Sequence, residues 1–202
     1  MPNRRSLAQA FAAVLILSFA LALPMAASAA PEPKDPKKQT PWGLYLTSQE
    51  AHDMKVAEGG KVLFVDVRDP IEIMFTGFTD VVDVNVPFML ADRTKWHAKK
   101  PVFLMAKNSD FEPGIERALK KAGLTKDAPV ILMCRSGGTR GAPSAKMLDG
   151  KGYAKVYVVV DGFEGGTLKD GPKKGWRLKN GWKNSGLPWS YKLNKDKMYG
   201  LD

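Results

Sequence analysis

The chain has 202 residues, with 31 Lys and Arg against 21 Asp and Glu, a formal net charge of +10 and one cysteine. That length suits about one domain and can bury a core without cross-links, and a lone Cys134 excludes an intrachain disulfide. The basic surplus suits small anions or an acidic partner by electrostatic steering; it is dense at Lys34–Lys38 and from Lys169 to Lys197, and no nucleic-acid-binding motif accompanies it.

Arg4 and Arg5 open the chain, an uncharged apolar run follows from Leu7 to Leu23, and Ala27-Ser28-Ala29 supplies small residues after Pro24. This order is that of a cleaved secretory leader. The competing reading, a membrane anchor, needs a span of about 20 apolar residues, and the run is a little short. Cleavage is expected after Ala29, since cutting after Ala30 would place Pro31 directly at the scissile bond. Residues 1–29 are therefore expected as a signal peptide. The product would be exported to the periplasm or beyond, with no stable membrane anchor. It keeps 29 basic and 21 acidic residues.

Residues 30–41, rich in Pro and Lys, are expected as a flexible linker. The domain proper is expected at 42–190, followed by a C-terminal tail at 191–202. Leu44 to Leu46 is a short strand candidate. Thr47-Ser48-Gln49-Glu50 fits a capping box and starts a helix that stops at Gly59-Gly60. Val62 to Val67 is a nearly continuous apolar run, the pattern of a strand buried on both faces of a parallel sheet. Further strands are expected at Val81–Val86, Val130–Met133 and Val156–Val160. Helical patterns lie between them, at Ile115–Ala122 and around Ala145–Leu148. Alternating strand and helix imply an α/β fold around a parallel sheet.

The strand at 130–133 runs into Cys134-Arg135-Ser136-Gly137-Gly138-Thr139-Arg140-Gly141, with Pro143 placed for the first turn of a following helix. Sites in open α/β sheets lie beyond the carboxyl ends of the strands. Glycines allow successive N–H groups to form an anion nest, and the helix N-terminus adds positive potential. A thiol there ionises more easily, and the thiolate is the nucleophile. The competing reading is a buried structural Cys beside two solvated arginines.

The residues resemble the rhodanese family in several ordered segments. Val65-Asp66-Val67-Arg68-Asp69-Pro70-Ile71-Glu72 is similar to its "DVRxPxE", and Val84-Asn85-Val86-Pro87 to its "INVP". Cys134 to Gly138 match the start of its active-site loop. Val156 to Gly162 with Gly165-Gly166 is similar to its last strand and glycine turn, and Trp182 to Pro188 to its closing "WxxxGLP". The resemblance implies a rhodanese-like three-layer fold, with a central, mostly parallel sheet flanked by helices. It also implies Cys134 as catalytic nucleophile, with Arg135, Ser136, Gly137, Gly138, Thr139 and Arg140 binding substrate. Asp66 and Arg68 would support the loop, or simply form a structural ion pair.

The chain departs from the pattern in four places. Phe78-Thr79-Asp80 replaces the usual turn before the Asn-Val-Pro. There are 41 residues between Pro87 and Pro129, and a Lys- and Gly-rich insert runs from Thr167 to Gly181. The second loop arginine is the sixth residue after Cys134, a C-x5-R spacing similar to that of rhodanese-fold phosphatases and arsenate reductases. Met133 stands where those enzymes usually have His.

Sulfane-sulfur transfer is thus the leading expectation, from a small anionic donor such as thiosulfate to a thiol or cyanide. The acceptor could be a periplasmic protein. Phosphate or arsenate chemistry at the same loop, or a non-catalytic carrier or binding module, are the alternatives. No cofactor or metal is implied: His52 and His97 lack ligand-like spacing. Trp96, Trp176 and Trp182 are expected to cover the core, against the alternative that they form a docking face.

Overall fold

Five short apolar runs become five parallel strands in the computed structural model, which describes residues 30–201; the expected leader lies outside the described residues. The strands are β1 (Tyr45–Leu46), β2 (Leu63–Asp66), β3 (Val84–Asn85) and then, after a hairpin of β4 (Met89–Trp96) and β5 (Phe103–Lys107), β6 (Pro129–Met133) and β7 (Lys155–Val159). The sheet order is β1-β7-β6-β2-β3, every pair parallel, while β4 and β5 pair only with each other, antiparallel.

Successive strand residues point to opposite faces, and this alternation divides the core in two. Leu63, Val65, Val130, Leu132, Val156 and Val158 face one side, where α3 (Phe111–Lys121) and α4 (Gly141–Leu148) cover them. Phe64, Ile131, Met133 and Val159 face the other, beneath α1 (Ser48–Glu58), α2 (Pro70–Thr76) and Trp182. The result is the expected three-layer α/β fold. Trp182 is fully buried and its indole N–H donates to the Pro188 carbonyl, so the closing Trp-to-Pro segment seals the second layer. Among the described residues, no helix is long and apolar enough to cross a membrane.

The capping box forms as expected: the Glu50 N–H donates to Thr47 Oγ1 and the Thr47 N–H to Glu50 Oε2. Several boundaries differ. The strand expected at 81–86 shrinks to two residues because Asp83 turns inward, accepting from the Phe64 N–H and from Lys55 Nζ. Helix α3 starts at Phe111 rather than Ile115; Pro113 sits in its first turn, where no N–H partner is needed.

Residues 30–41 are tied to β1 near both ends: Ala30 is buried and its N–H donates to the Tyr45 carbonyl, and the buried Thr40 N–H donates to the Tyr45 hydroxyl. The expectation for the tryptophans is corrected. Of the three tryptophans expected over the core, only Trp182 is there. Trp96 and Trp176 are each 62% exposed, because both lie on inserts that project from the layers. Within residues 191–201, Met198 is buried and Lys197 Nζ donates to the carbonyls of Asp80 and Val82.

Candidate functional site

Strand β6 delivers Cys134 to the carboxyl edge of the sheet, between β2 and β7. The residue is 2% exposed. The first residue of α4 lies directly against it: a Cβ on Gly141 would fall 3.7 Å from Cys134 Sγ. The thiol therefore sits against the N-terminus of α4, where the helix carries partial positive charge.

The loop from Arg135 to Arg140 turns over the thiol. Gly137 has a left-handed φ of 63°, and a Cβ there would meet the Val160 carbonyl oxygen at 1.7 Å, so only glycine closes this turn. Among the described residues, the N–H groups of Ser136 to Arg140 have no protein acceptor. Ser136 and Gly138 are half-buried, and Thr139 is exposed at the tip.

Both loop arginines are paired with carboxylates. Arg140 donates from both terminal nitrogens to Glu72 of α2, at 2.5 and 2.8 Å. Arg135 Nε donates to Glu164 and stands 3.9 Å from Glu72. Burial opposes ionisation of Glu72, but the Arg140 hydrogen bonds and the charges of Arg140, Arg68 and Arg135 hold its carboxyl below the usual range. Burial works against the Arg140 cation too, and the Glu72 contact outweighs it, raising the guanidinium above its ordinary value.

Among the described residues, neither Asp66 nor Arg68 makes a side-chain bond to the loop. Arg68 binds Asp66 through Nε and Nη2, and also reaches Thr76 Oγ1 and the Gly77 carbonyl. Its guanidinium carbon lies 3.9 Å over the Phe163 ring. Both side chains are fully buried. This is the structural ion pair, tying β2 to α2.

Glu164 was not singled out from sequence, and Glu72 appeared there only inside the DVRxPxE segment with no role. A buried arginine needs a carboxylate, and that accounts for Glu72 beside Arg140, which is 10% exposed; the half-exposed Arg135 makes no such demand. Arg177 was also missed. It comes from the second insert and donates to the Gly165 carbonyl at 2.8 Å. Burial lowers its pKa, and the neighbouring Arg135 charge lowers it further. A separate cleft of about 440 Å³ lies between β3, α3 and the C-terminal segment, but no Cys, His or Ser lines it. The Cys134 loop is the chemically equipped site.

Fold and site define a class of parallel α/β domains with a thiol at the head of a glycine-rich loop. A rhodanese-like domain is matched over residues 47–169, and the chain belongs to the rhodanese family, whose general type is sulfurtransferase. Similar curated relatives include "Uncharacterized protein RC0915" of Rickettsia conorii, 27% identical over 146 residues, covering 72% of this chain and 96% of that protein. Among solved structures, the crystal structure of Rv0390 from M. tuberculosis is 27% identical, with a TM-score of 0.53, covering 73% of this chain and 97% of that one. A polysulfide-sulfur transferase homodimer from Wolinella succinogenes is 22% identical over 62% of this chain and 70% of that one, at a TM-score of 0.39. That last likeness is too slight to bear on chemistry.

Proposed function

We propose that the protein is an exported sulfurtransferase that carries sulfane sulfur as a persulfide on Cys134. One observation supports this above the others: the only thiol of the chain lies at the start of α4, under a loop whose amides have no acceptor among the described residues. The Cys134 thiol releases its proton to solvent, and the thiolate attacks the outer sulfur of a donor such as thiosulfate. The S–S bond of the donor breaks, its electron pair leaves with sulfite, and Cys134–S–S⁻ remains. An acceptor thiolate or cyanide then takes the outer sulfur, and the Cys134 thiolate returns. Covalent catalysis divides one hard transfer into two easier steps.

In this reading the Ser136–Arg140 amides stabilise the persulfide anion. Arg135, whose terminal nitrogens are uncommitted among the described residues, meets the donor's oxygens. Arg140, held by Glu72 through one bond from each terminal nitrogen, supplies fixed positive charge. The N-terminal order of Arg4-Arg5, apolar run and Ala27-Ser28-Ala29 supports export.

The test is intact mass after reduced protein is incubated with thiosulfate and freed of it, with Cys134→Ser alongside. A gain of one sulfur atom on the wild type alone is expected. No adduct on protein with confirmed free thiol would reject the reading and direct the same assay to phosphate and arsenate.

A further inference from the structure

The net charge of this protein is not where its fold is. Residues 30–202 carry 29 basic and 21 acidic residues. The β4–β5 hairpin holds Arg93, Lys95, Lys99, Lys100 and Lys107 against Asp92 alone. The loop Thr167–Gly181 holds Lys169, Lys173, Lys174, Arg177 and Lys179 against Asp170 alone. The remainder has 19 basic and 19 acidic residues and is neutral. All of the surplus charge therefore sits on the two inserts.

Both inserts are tied to the surroundings of Cys134. The Ala91 N–H in the hairpin donates at 2.7 Å to Asp69, the N-cap of α2, and α2 carries Glu72 against Arg140. The loop is pinched at its base, where a Cβ on Gly165 (φ 76°) would meet the Asn180 carbonyl at 1.6 Å. Its Arg177 reaches the Gly165 carbonyl, next to Glu164, the partner of Arg135. Between Lys169 and Asn180 every other residue is exposed, and Arg177 alone is half-buried, turned toward the active-site loop.

The same elements expose large apolar groups. Trp96 and Phe103, 62% and 50% exposed, pack edge to face on the hairpin. Trp176 is 62% exposed on the loop, and Ile71 and Phe75 of α2 are 61% and 72% exposed one helical turn apart. Aromatic anchors ringed by charge are the composition of a protein-docking face. Lys99, Lys100, Lys173, Lys174 and Lys179 are exposed and form no ion pair among the described residues.

We infer that the hairpin, α2 and the 167–181 loop form a docking face for an acidic protein that presents a sulfur-bearing side chain to Cys134. Charge complementarity selects an acidic partner. The 2% exposure of Cys134 selects a protruding group on that partner over a flat anionic bilayer, which would cover the mouth without entering it. The inference rests on the sulfur-transfer reading for its purpose, but docking is measured separately from transfer.

The test uses the full chain and three probes: a synthetic peptide with one Cys flanked by Glu and Leu, its Lys-for-Glu counterpart, and phosphatidylglycerol vesicles. Persulfide-loaded protein is expected to pass sulfur to the acidic peptide about tenfold faster than to the basic one at low salt, and the difference should collapse at high salt. The K99E/K100E/K173E/K174E variant should lose about tenfold with the acidic peptide relative to its own rate with cyanide. Binding to the Cys134→Ser protein, followed by tryptophan fluorescence, should show the same order. Trp176→Ser, a change at an exposed site, should weaken that binding and serves if the charge variant misfolds.

If sulfur passes equally to both peptides, or vesicles bind while the peptides are not distinguished, the docking face is wrong although Cys134 chemistry stands. If no persulfide forms but the Cys134→Ser protein still selects the acidic peptide, the face stands and the sulfur reading fails.

Discussion

Two arginine–carboxylate pairs, Arg68–Asp66 and Arg140–Glu72, use the same chemistry and do different work. The first joins residues two apart at the end of β2, and both side chains are fully buried. The second spans 68 positions, from α2 to the active-site loop, with side chains 10% and 17% exposed. Arg68 spends its donors on Asp66, Thr76 and the Gly77 carbonyl, all parts of the frame. Arg140 spends its terminal donors on Glu72 and adds its charge beside Cys134. Burial and connectivity, not residue type, separate a pair that holds the fold from one that fixes charge beside the thiol.

Breaking the first pair should have the largest effect on folding. Arg68→Ala leaves Asp66 buried without its partner, at a cost of about 3–5 kcal/mol. Urea unfolding should show that loss, with activity falling only as the folded fraction falls. A stable Arg68→Ala protein that had lost sulfur transfer would put Arg68 in the chemistry and erase the distinction.

Arg140→Ala should reverse the balance. Loss of one positive group at the developing anion is expected to slow persulfide formation about 10²–10³-fold, with about 1–3 kcal/mol of stability lost through the unpaired Glu72. Stopped-flow sulfite release separates the two readouts.

Glu72→Gln keeps a hydrogen-bond acceptor but removes the charge. We expect about tenfold slower transfer and about 1 kcal/mol lower stability at neutral pH. The Glu72 carboxyl sits below its ordinary value of 4.5, so the folded state binds its proton less readily than the unfolded chain. Its contribution is present in full above 4.5 and lost as pH falls through the lower folded value. The stability gap between wild type and Glu72→Gln should therefore close on acidification; a constant gap would show that Glu72 is not held ionised by Arg140.

The smallest effect belongs to Glu164→Gln. Its partner Arg135 is 41% exposed at the side chain, so water screens the pair. Stability should change by no more than about 0.5 kcal/mol, while thiosulfate KM shifts a few-fold as Arg135 is freed. A large loss of stability would make this pair structural as well.

Much of the fold was legible because buried parallel strands advertise themselves. Val62–Val67 and Val130–Met133 have to be apolar on both faces, so they stand out from any polar background. The hairpin had no such signal. Of its first strand, Lys95 and Trp96 are both exposed, and a strand without a buried face has no alternation to read. The partners of the loop arginines were hidden for another reason: Glu72 and Glu164 lie 68 and 29 positions from the residues they bind.

By itself the sequence determined the α/β class, the strand–loop–helix setting of Cys134 and the need for glycine in its loop. These follow from local periodicity and backbone conformation, which are written in consecutive residues. Only the tertiary structure decided which carboxylate holds which arginine, that Asp66 and Arg68 serve the frame, and that the two basic inserts are bonded to segments next to Glu72 and Glu164. Those are contacts between distant segments, and their energies depend on burial, which no single stretch of chain specifies.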